Sequence, residues 1–301
     1  MNFQSLKKIE EPDFYLDLAF RRAQEKAKMS RSSIKIKKDR IEKSKTIELQ
    51  KIDIIRNVLT DKLSIILRSY PMIDDLPEFY KRLIMYTLDY DELKRALGAI
   101  KWVIDKIDGF SSMYIGHIKK TQHFEKINTY RSEYYGRISS LLKQIKGQLK
   151  YIEEARRTMK EFPAVKTSLS TACIVGFPNI GKTTLLFKLT GSKPEIAAYS
   201  FTTKGINISY LEGEGKKIQL LDTPGTLNRD KMNNIEMQSY LALRTCADII
   251  IYIIDLTETY PLEDQLKMLK MLSGYKKPIY IYLSKTDILD ADKVKEFKKK
   301  Y

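Results

Sequence analysis

Apolar residues recur with two different periods along this chain, and the change falls near residue 167. Before it the spacing is helical. Ile52, Ile55, Leu59, Leu63 and Ile66 share one face of a helix that ends before Pro71, since proline removes a donor and restricts the residue ahead of it. Ile138, Leu141, Leu142, Ile145, Leu149 and Ile152 form a second stripe at i, i+3, i+4, i+7, i+11 and i+14, with Lys143, Lys146, Lys150 and Arg157 largely off it. Pro77, and Asp89 as an N-cap, predict two further helices over 78–87 and 90–107. The serine-rich run Met29–Ser33 reads as a loop. Amphipathic stripes joined by short connections predict an antiparallel bundle, with the stripes as its core.

Phe162 and Pro163 end the helices, and Thr167–Ser170 is a short linker. Beyond it, short apolar runs alternate with helical ones. Strands are predicted over 171–175, 206–211, 217–222, 248–254 and 278–284, and helices over 182–190, 235–246, 262–273 and from about 290. The expected architecture is α followed by α/β: a helical bundle over 1–166 and a three-layer α/β domain over 167–301.

The link from the first strand to its helix carries the chemistry. Gly176, Phe177, Pro178, Asn179, Ile180, Gly181, Lys182 and Thr183 satisfy G-x-x-x-x-G-K-[ST], the spacing of a phosphate-binding loop. Such a loop turns backbone N–H groups and a helix N-terminus toward polyphosphate oxygens, with Lys182 adding a point charge. Thr183 offers a hydroxyl to Mg2+, and Thr184 follows it in the first helical turn.

Asp222, Thr223, Pro224 and Gly225 place D-x-x-G at the end of a strand, where Asp222 can hold Mg2+ through a water and the Gly225 N–H can sense a γ-phosphate. Between the two motifs, Phe201, Thr202 and Thr203 lie in a loop at the distance expected of a first switch, which closes only when the γ-phosphate is present. Ser284, Lys285, Thr286 and Asp287 end another strand as a variant of N-K-x-D. Asp287 can accept from the guanine ring N–H and exocyclic amine, a pair adenine cannot supply. The stem of Lys285 then lies over the base plane. Ser284 stands where asparagine is usual and leaves a shorter hydroxyl.

The order and spacing of these motifs predict a Ras-like P-loop GTPase domain. GTP or GDP and Mg2+ are its ligands, Thr183, Thr203 and Asp222 hold the metal, and Lys182, Thr203 and Gly225 are the catalytic groups. A Ras-like sheet needs a sixth strand that these patterns do not supply, so the domain is expected to be incomplete at its C-terminal end. Thr226, not glutamine, follows Gly225, so hydrolysis is expected to be slow and partner-stimulated. A GTP-binding scaffold without turnover, and an ATPase in which Asp287 is incidental, are the alternatives.

Charge then separates the two halves. The chain carries +16 overall, of which residues 1–170 hold 35 Lys+Arg against 23 Asp+Glu. Lys26–Lys45 alone holds nine basic residues and two acidic ones, a density that points to a polyanion such as RNA. A solvated, lysine-rich surface is the bland reading. With 43% hydrophobic and 31% charged residues the composition is that of a soluble globular protein. Its longest apolar run, Ile249–Ile254, is too short to cross a bilayer. No apolar stretch of signal-peptide length opens the chain, so a cytoplasmic location is expected. Two cysteines make no disulfide framework, and His117 and His123 have no neighbours in sequence suited to a metal site.

The chain resembles the Nog branch of the Obg GTPases. The residues that carry the resemblance are the loop Gly176–Thr183, Tyr199–Lys204, Asp222–Gly225 and Asn234–Gln238, with Asp75–Tyr80 and Tyr134–Ile138 in the helical half. It covers essentially the whole chain. Family members of this kind are archaeal and eukaryotic and act in maturation of the large ribosomal subunit. The resemblance implies docking on ribosomal RNA or a precursor particle through the basic half, by a monomer with no membrane or DNA partner. It also favours Thr203 over Thr202 as the Mg2+-sensing threonine. Asn179 matches an asparagine that helps hold K+ in several related GTPases, although turn geometry accounts for it equally well.

Overall fold

The computed structural model describes residues 3–33, 40–191, 195–196, 206–213, 215–223 and 234–300. Two compact units divide the chain, one of Gln4–Met72 with Leu88–Arg157, the other of Met1–Phe3, Ile73–Thr87 and Thr158–Tyr301.

The first unit is a helical bundle. It comprises α1 (Pro12–Ser33), α2 (Arg40–Ser69), α4 (Tyr90–Lys120), α5 (Phe124–Gln144) and most of α6 (Lys146–Lys160), while α3 (Glu78–Thr87) belongs to the other unit. α2 packs against α1 and α4, and α4 against α5. Ile52, Ile55, Leu59, Leu63 and Ile66 of α2 are all buried, as are Leu93, Ala96, Ile100, Val103 and Ile107 of α4.

Three details depart from the sequence pattern. α1 runs through Met29–Ser33, where a loop was expected; the run contains neither glycine nor proline, and serine only mildly disfavours a helix. α4 continues beyond residue 107 to Lys120, because the buried stripe goes on through Ser111, Tyr114 and Ile118. Ser111 donates to the Ile107 carbonyl at 2.7 Å and meets the Tyr134 hydroxyl at 3.0 Å. The stripe of Ile138 to Ile152 spans two helices, interrupted at Ile145 (φ −98°, ψ 17°). All six stripe residues stay buried nonetheless, since a one-residue break keeps the helical phase. The N-cap at Asp89 forms as expected, its carboxylate accepting from the Glu92 N–H at 2.9 Å.

Within the basic segment, Lys26, Lys28 and Arg40 are exposed, and Arg40 lies over the Phe124 ring at 5.3 Å. Lys45 is buried and donates to Glu42 at 2.9 Å, so it is withdrawn from any phosphate contact. Lys35, Lys37 and Lys38 lie outside the described residues.

The second unit is built on a six-stranded sheet of order β2-β3-β4-β1-β5-β6. Its strands are β1 (Thr171–Val175), β2 (Glu195–Ile196), β3 (Asn207–Gly213), β4 (Lys216–Asp222), β5 (Ile249–Asp255) and β6 (Ile279–Ser284). The helices of the sheet region are α7 (Lys182–Thr190), α8 (Asn234–Thr245), α9 (Leu262–Ser273) and α10 (Ala291–Lys300). β1 is wholly buried and pairs in parallel with β4 and β5, and β5 pairs in parallel with β6. β3 is antiparallel to β4 and carries the two-residue β2, the strand the pattern did not reveal. β6 forms one edge, with Tyr280 exposed.

α3 packs on α8 in this unit. Tyr80 of α3 is fully buried, donates to the Pro163 and Val165 carbonyls at 2.9 Å and meets the Phe3 ring edge-on. Compactness therefore does not follow a single cut of the chain; the boundary at 166/167 is kept as a proposal about sequence modules. No described helix is long and apolar enough to cross a membrane.

Glu153 of α6 is an ionic anchor in the bundle. It accepts from the Ile9 N–H at 3.1 Å, from Arg156 twice at 2.7 Å and from Arg157 at 3.0 Å. Burial alone would raise its carboxyl, but these donors outweigh it and hold the group at about 2. A carboxyl titrating lower when folded adds stability above the ordinary carboxylate range and loses it as pH falls through the folded value. Glu153→Gln should therefore be less stable than the parent at neutral pH. The gap should narrow toward about pH 3, as read from urea midpoints at both.

Candidate functional site

The parallel strands β1, β4, β5 and β6 end along one edge of the sheet, and every described motif residue sits there. β1 leads into Gly176, where a side chain has no room: a Cβ would lie 2.3 Å from Ile180 Cδ1 and 3.0 Å from the Ile253 carbonyl oxygen. Gly181, at the N-cap of α7, has φ +97°, a conformation suited to glycine. The loop wraps back on itself between these two residues. Ile180 is fully buried, Pro178 is half-buried, and the Phe177 ring packs on Tyr260 with centroids 4.8 Å apart.

Lys182 is buried and donates to the Phe177 carbonyl at 2.7 Å, so its ammonium folds over the loop. Thr183 and Thr184 are exposed at the mouth of α7. The Thr183 hydroxyl donates to Asp222 Oδ2 at 2.7 Å, joining the first motif to the second. Asn207 Nδ2 donates to the same oxygen at 2.9 Å, from the residue paired with Asp222 across β3 and β4. Asp222 itself is buried, and its Oδ1 has no hydrogen-bond partner among the described residues. A buried carboxylate oxygen left unmatched is costly. Together with the neighbouring hydroxyl it suits a hydrated divalent cation, so Thr183 and Asp222 fit Mg2+. Thr223 is buried and its hydroxyl donates to the Ile174 carbonyl at 2.9 Å, fixing the strand end.

At the far end of the edge, Ser284 is buried, and its hydroxyl makes a long contact of 3.4 Å to the Ile254 carbonyl. Lys285 follows in the left-handed region (φ 52°), with its ammonium 2.6 Å from Asp255. Thr286 and Asp287 form a single turn. A cavity of about 550 Å³ runs from Asn179, Lys182 and Thr183 to Lys285 and Asp287, a volume in the range of small-ligand sites. The structure thus brings together the loop, Asp222, Thr223 and the Ser284–Asp287 group. Phe201, Thr202, Thr203, Pro224 and Gly225 lie outside the described residues. Asn207, Asp255 and Thr259 escaped the sequence reading. A carboxylate closing the apolar run of β5 was the available signal for Asp255; Asn207 becomes visible only through its cross-strand register.

A phosphate loop, a strand-end aspartate joined to its threonine, and an acidic turn on one sheet edge define a P-loop GTPase. Residues 3–166 match the family model described as the NOG1 N-terminal helical domain, and residues 171–285 match that described as 50S ribosome-binding GTPase. An uncharacterized protein of Methanocaldococcus jannaschii is 35% identical over 97% of this chain and 83% of its own length. Nucleolar GTP-binding protein 1 of Drosophila melanogaster is 26% identical over 98% of this chain, and that of Encephalitozoon cuniculi 31% over 83%. The chain spans 46% and 48% of those two longer relatives. It belongs to the NOG1 family, and is a GTP-binding protein of that type.

If Thr183 and Asp222 hold the metal, Thr183→Ala should leave GDP affinity without Mg2+ within about two-fold of the parent and remove most of the tightening that Mg2+ brings. Titration of GDP in EDTA and in excess MgCl2 reads both; equal tightening in the variant would dismiss the assignment.

Proposed function

We propose that this chain is a guanine-nucleotide switch that converts GTP and water to GDP and phosphate slowly, and that its basic helical part docks on ribosomal RNA or a large-subunit precursor. The observation that carries the reading is the single cavity joining a phosphate loop to Asp287, in a chain whose other half matches the NOG1 helical domain. The loop N–H groups and Lys182 bind and neutralise the outer phosphates. Asp287 selects the base. Thr203 and Gly225 report the γ-phosphate and release on hydrolysis. Thr183, Asp222 and Thr203 would hold Mg2+, which when bound would supply positive charge against the phosphate oxygens.

The Asn179 backbone is left-handed, with φ 59°. Asparagine is among the few residues that tolerate this, so the turn by itself accounts for the residue. A rate comparison in KCl and NaCl decides whether K+ also binds there. The work belongs where ribosomal particles assemble, which is the cytoplasm in a cell without a nucleus. A GTP-binding scaffold without turnover is the second reading, favoured by Thr226 at the position after Gly225. Phosphate release measured with and without large ribosomal subunits separates the two: stimulation supports the switch, and none above background in either supports the scaffold.

Guanine selection has its own test. ATP should compete at least about 100-fold more weakly than GTP, because adenine offers the Asp287 carboxylate no donors, and Asp287→Asn should shift preference toward xanthine nucleotides, whose extra carbonyl can accept from the amide. Equal competition by ATP would overturn the reading.

If about five basic side chains meet phosphates, log K for large-subunit RNA should fall with log[salt] at a slope near −4. Replacing Lys35, Lys37, Lys38 and Arg40 together by alanine should flatten that slope by about three and leave GTP binding intact. An unchanged slope would place the RNA contact elsewhere.

A further inference from the structure

Asp255 ends β5 with no place in the motifs that define the site, yet it is fully buried. An isolated buried carboxylate is expensive, and such groups persist where they are paired and hydrogen-bonded. Each oxygen of Asp255 is matched. Oδ1 accepts from the Thr257 N–H at 2.9 Å and the Thr257 hydroxyl at 2.6 Å. Oδ2 accepts from the Thr259 hydroxyl at 3.0 Å and from the Lys285 ammonium at 2.6 Å. Burial alone would raise this carboxyl, but Lys285 and the threonines prevail and hold it below the usual carboxylate range.

The backbone of Asp255 is pinned as firmly. Its N–H donates to Gln265 Oε1 at 2.9 Å, and its carbonyl accepts from Gln265 Nε2 at 2.9 Å. Gln265 is itself buried, and the Tyr252 hydroxyl donates to its carbonyl at 2.7 Å. Asp255 is therefore a fixed anchor rather than a side chain that adapts to its partner. Lys285 is the opposite kind of residue: a flexible stem, partly exposed, on a left-handed backbone that is unfavourable for lysine. The Thr259 hydroxyl, 3.2 Å from the same ammonium, gives it a second contact. One end of this network thus lies in the buried sheet and the other beside the base-reading turn, with Asp287 two residues from Lys285.

We propose that Asp255 is a positioning residue for guanine binding: by holding the Lys285 ammonium, it sets the lysine stem against the base plane and orients the turn that carries Asp287. This rests on the guanine-binding reading above. Sequence β5–Asp–x–Thr–x–Thr then acts as a preorganised cradle, which lowers the ordering cost that a free lysine would meet on binding. The competing account is that Asp255 only caps the turn at Thr257 and has no influence through Lys285.

A double-mutant cycle on GDP binding separates the two. GDP and ADP titrations of the unaltered chain come first; if ADP binds as well as GDP, the guanine reading fails irrespective of Asp255. With selectivity present, Asp255→Asn should weaken GDP binding about ten-fold, as expected for loss of a charge-assisted anchor. In a Lys285→Ala background the same change should cost less than about two-fold, because its effect passes through the lysine. Equal losses in both backgrounds, or no loss in either, would overturn the proposal. Circular dichroism and the thermal midpoint verify folding of each variant. Should Asp255→Asn not fold, the exposed Thr259→Val carries the cycle: a loss of about three-fold that vanishes beside Lys285→Ala supports the cradle, and an unchanged affinity refutes it.

Discussion

Parallel pairing of β1 with both β4 and β5 is the constraint on which the rest of the sheet unit depends. Three strands running the same way must deliver their C-terminal ends to one edge, and β6 adds a fourth. The loop at Gly176, the carboxylate of Asp222, the anchor Asp255 and the turn at Lys285 are each the first residues beyond, or the last residues of, one of these strands. None of them is near another in sequence. A register shift of one residue in β4 would turn Asp222 to the opposite face of the sheet and part it from Thr183. That register is held by Gln219, which is fully buried, accepts from the Lys166 N–H at 2.8 Å and donates to the Thr171 hydroxyl at 3.1 Å.

The same physical problem, a carboxylate out of water, is solved differently at the two ends of the edge. Asp255 has every lone pair it needs matched by protein donors, including a full positive charge. Among the described residues, Asp222 has donors on one oxygen only. A matched carboxylate suits a fixed anchor, whereas an unmatched one suits the metal-holding role proposed for Asp222. The contrast assigns complementary duties to two aspartates that look alike in sequence, each closing a run of apolar residues.

The motifs in the helical half have a different meaning. Tyr80 of Asp75–Tyr80 and Tyr134 of Tyr134–Ile138 are both fully buried. Tyr80 ties α3 to the segment around Pro163 through two backbone carbonyls, and Tyr134 satisfies its hydroxyl on Ser111. Burial pushes both phenols well above their ordinary range. Both residues serve helix packing, and their chemistry is that of a hydrogen-bonded core. The polyanion contact proposed for this chain would instead use side chains without a pattern of spacing, such as Lys26, Lys28 and Arg40, which are exposed and legible only as charge density.

The amino-acid sequence by itself determined the two periodicities, the phosphate loop, the strand-end aspartate and the acidic turn after β6, because each of these is a local pattern enforced by backbone geometry or by short-range spacing. It also determined most helix and strand positions, with errors where a serine-rich run held no helix breaker, as at Met29–Ser33, and where a buried stripe went on past its expected end, as beyond Ile107. Only tertiary structure decided that α3 packs with the sheet unit, that Lys45 is buried, and that Asn207 and Asp255 reach the site. Those outcomes depend on cross-strand register, burial and pairing between residues far apart in the chain, and no pattern within a helical turn or a single strand encodes which distant partner a side chain meets.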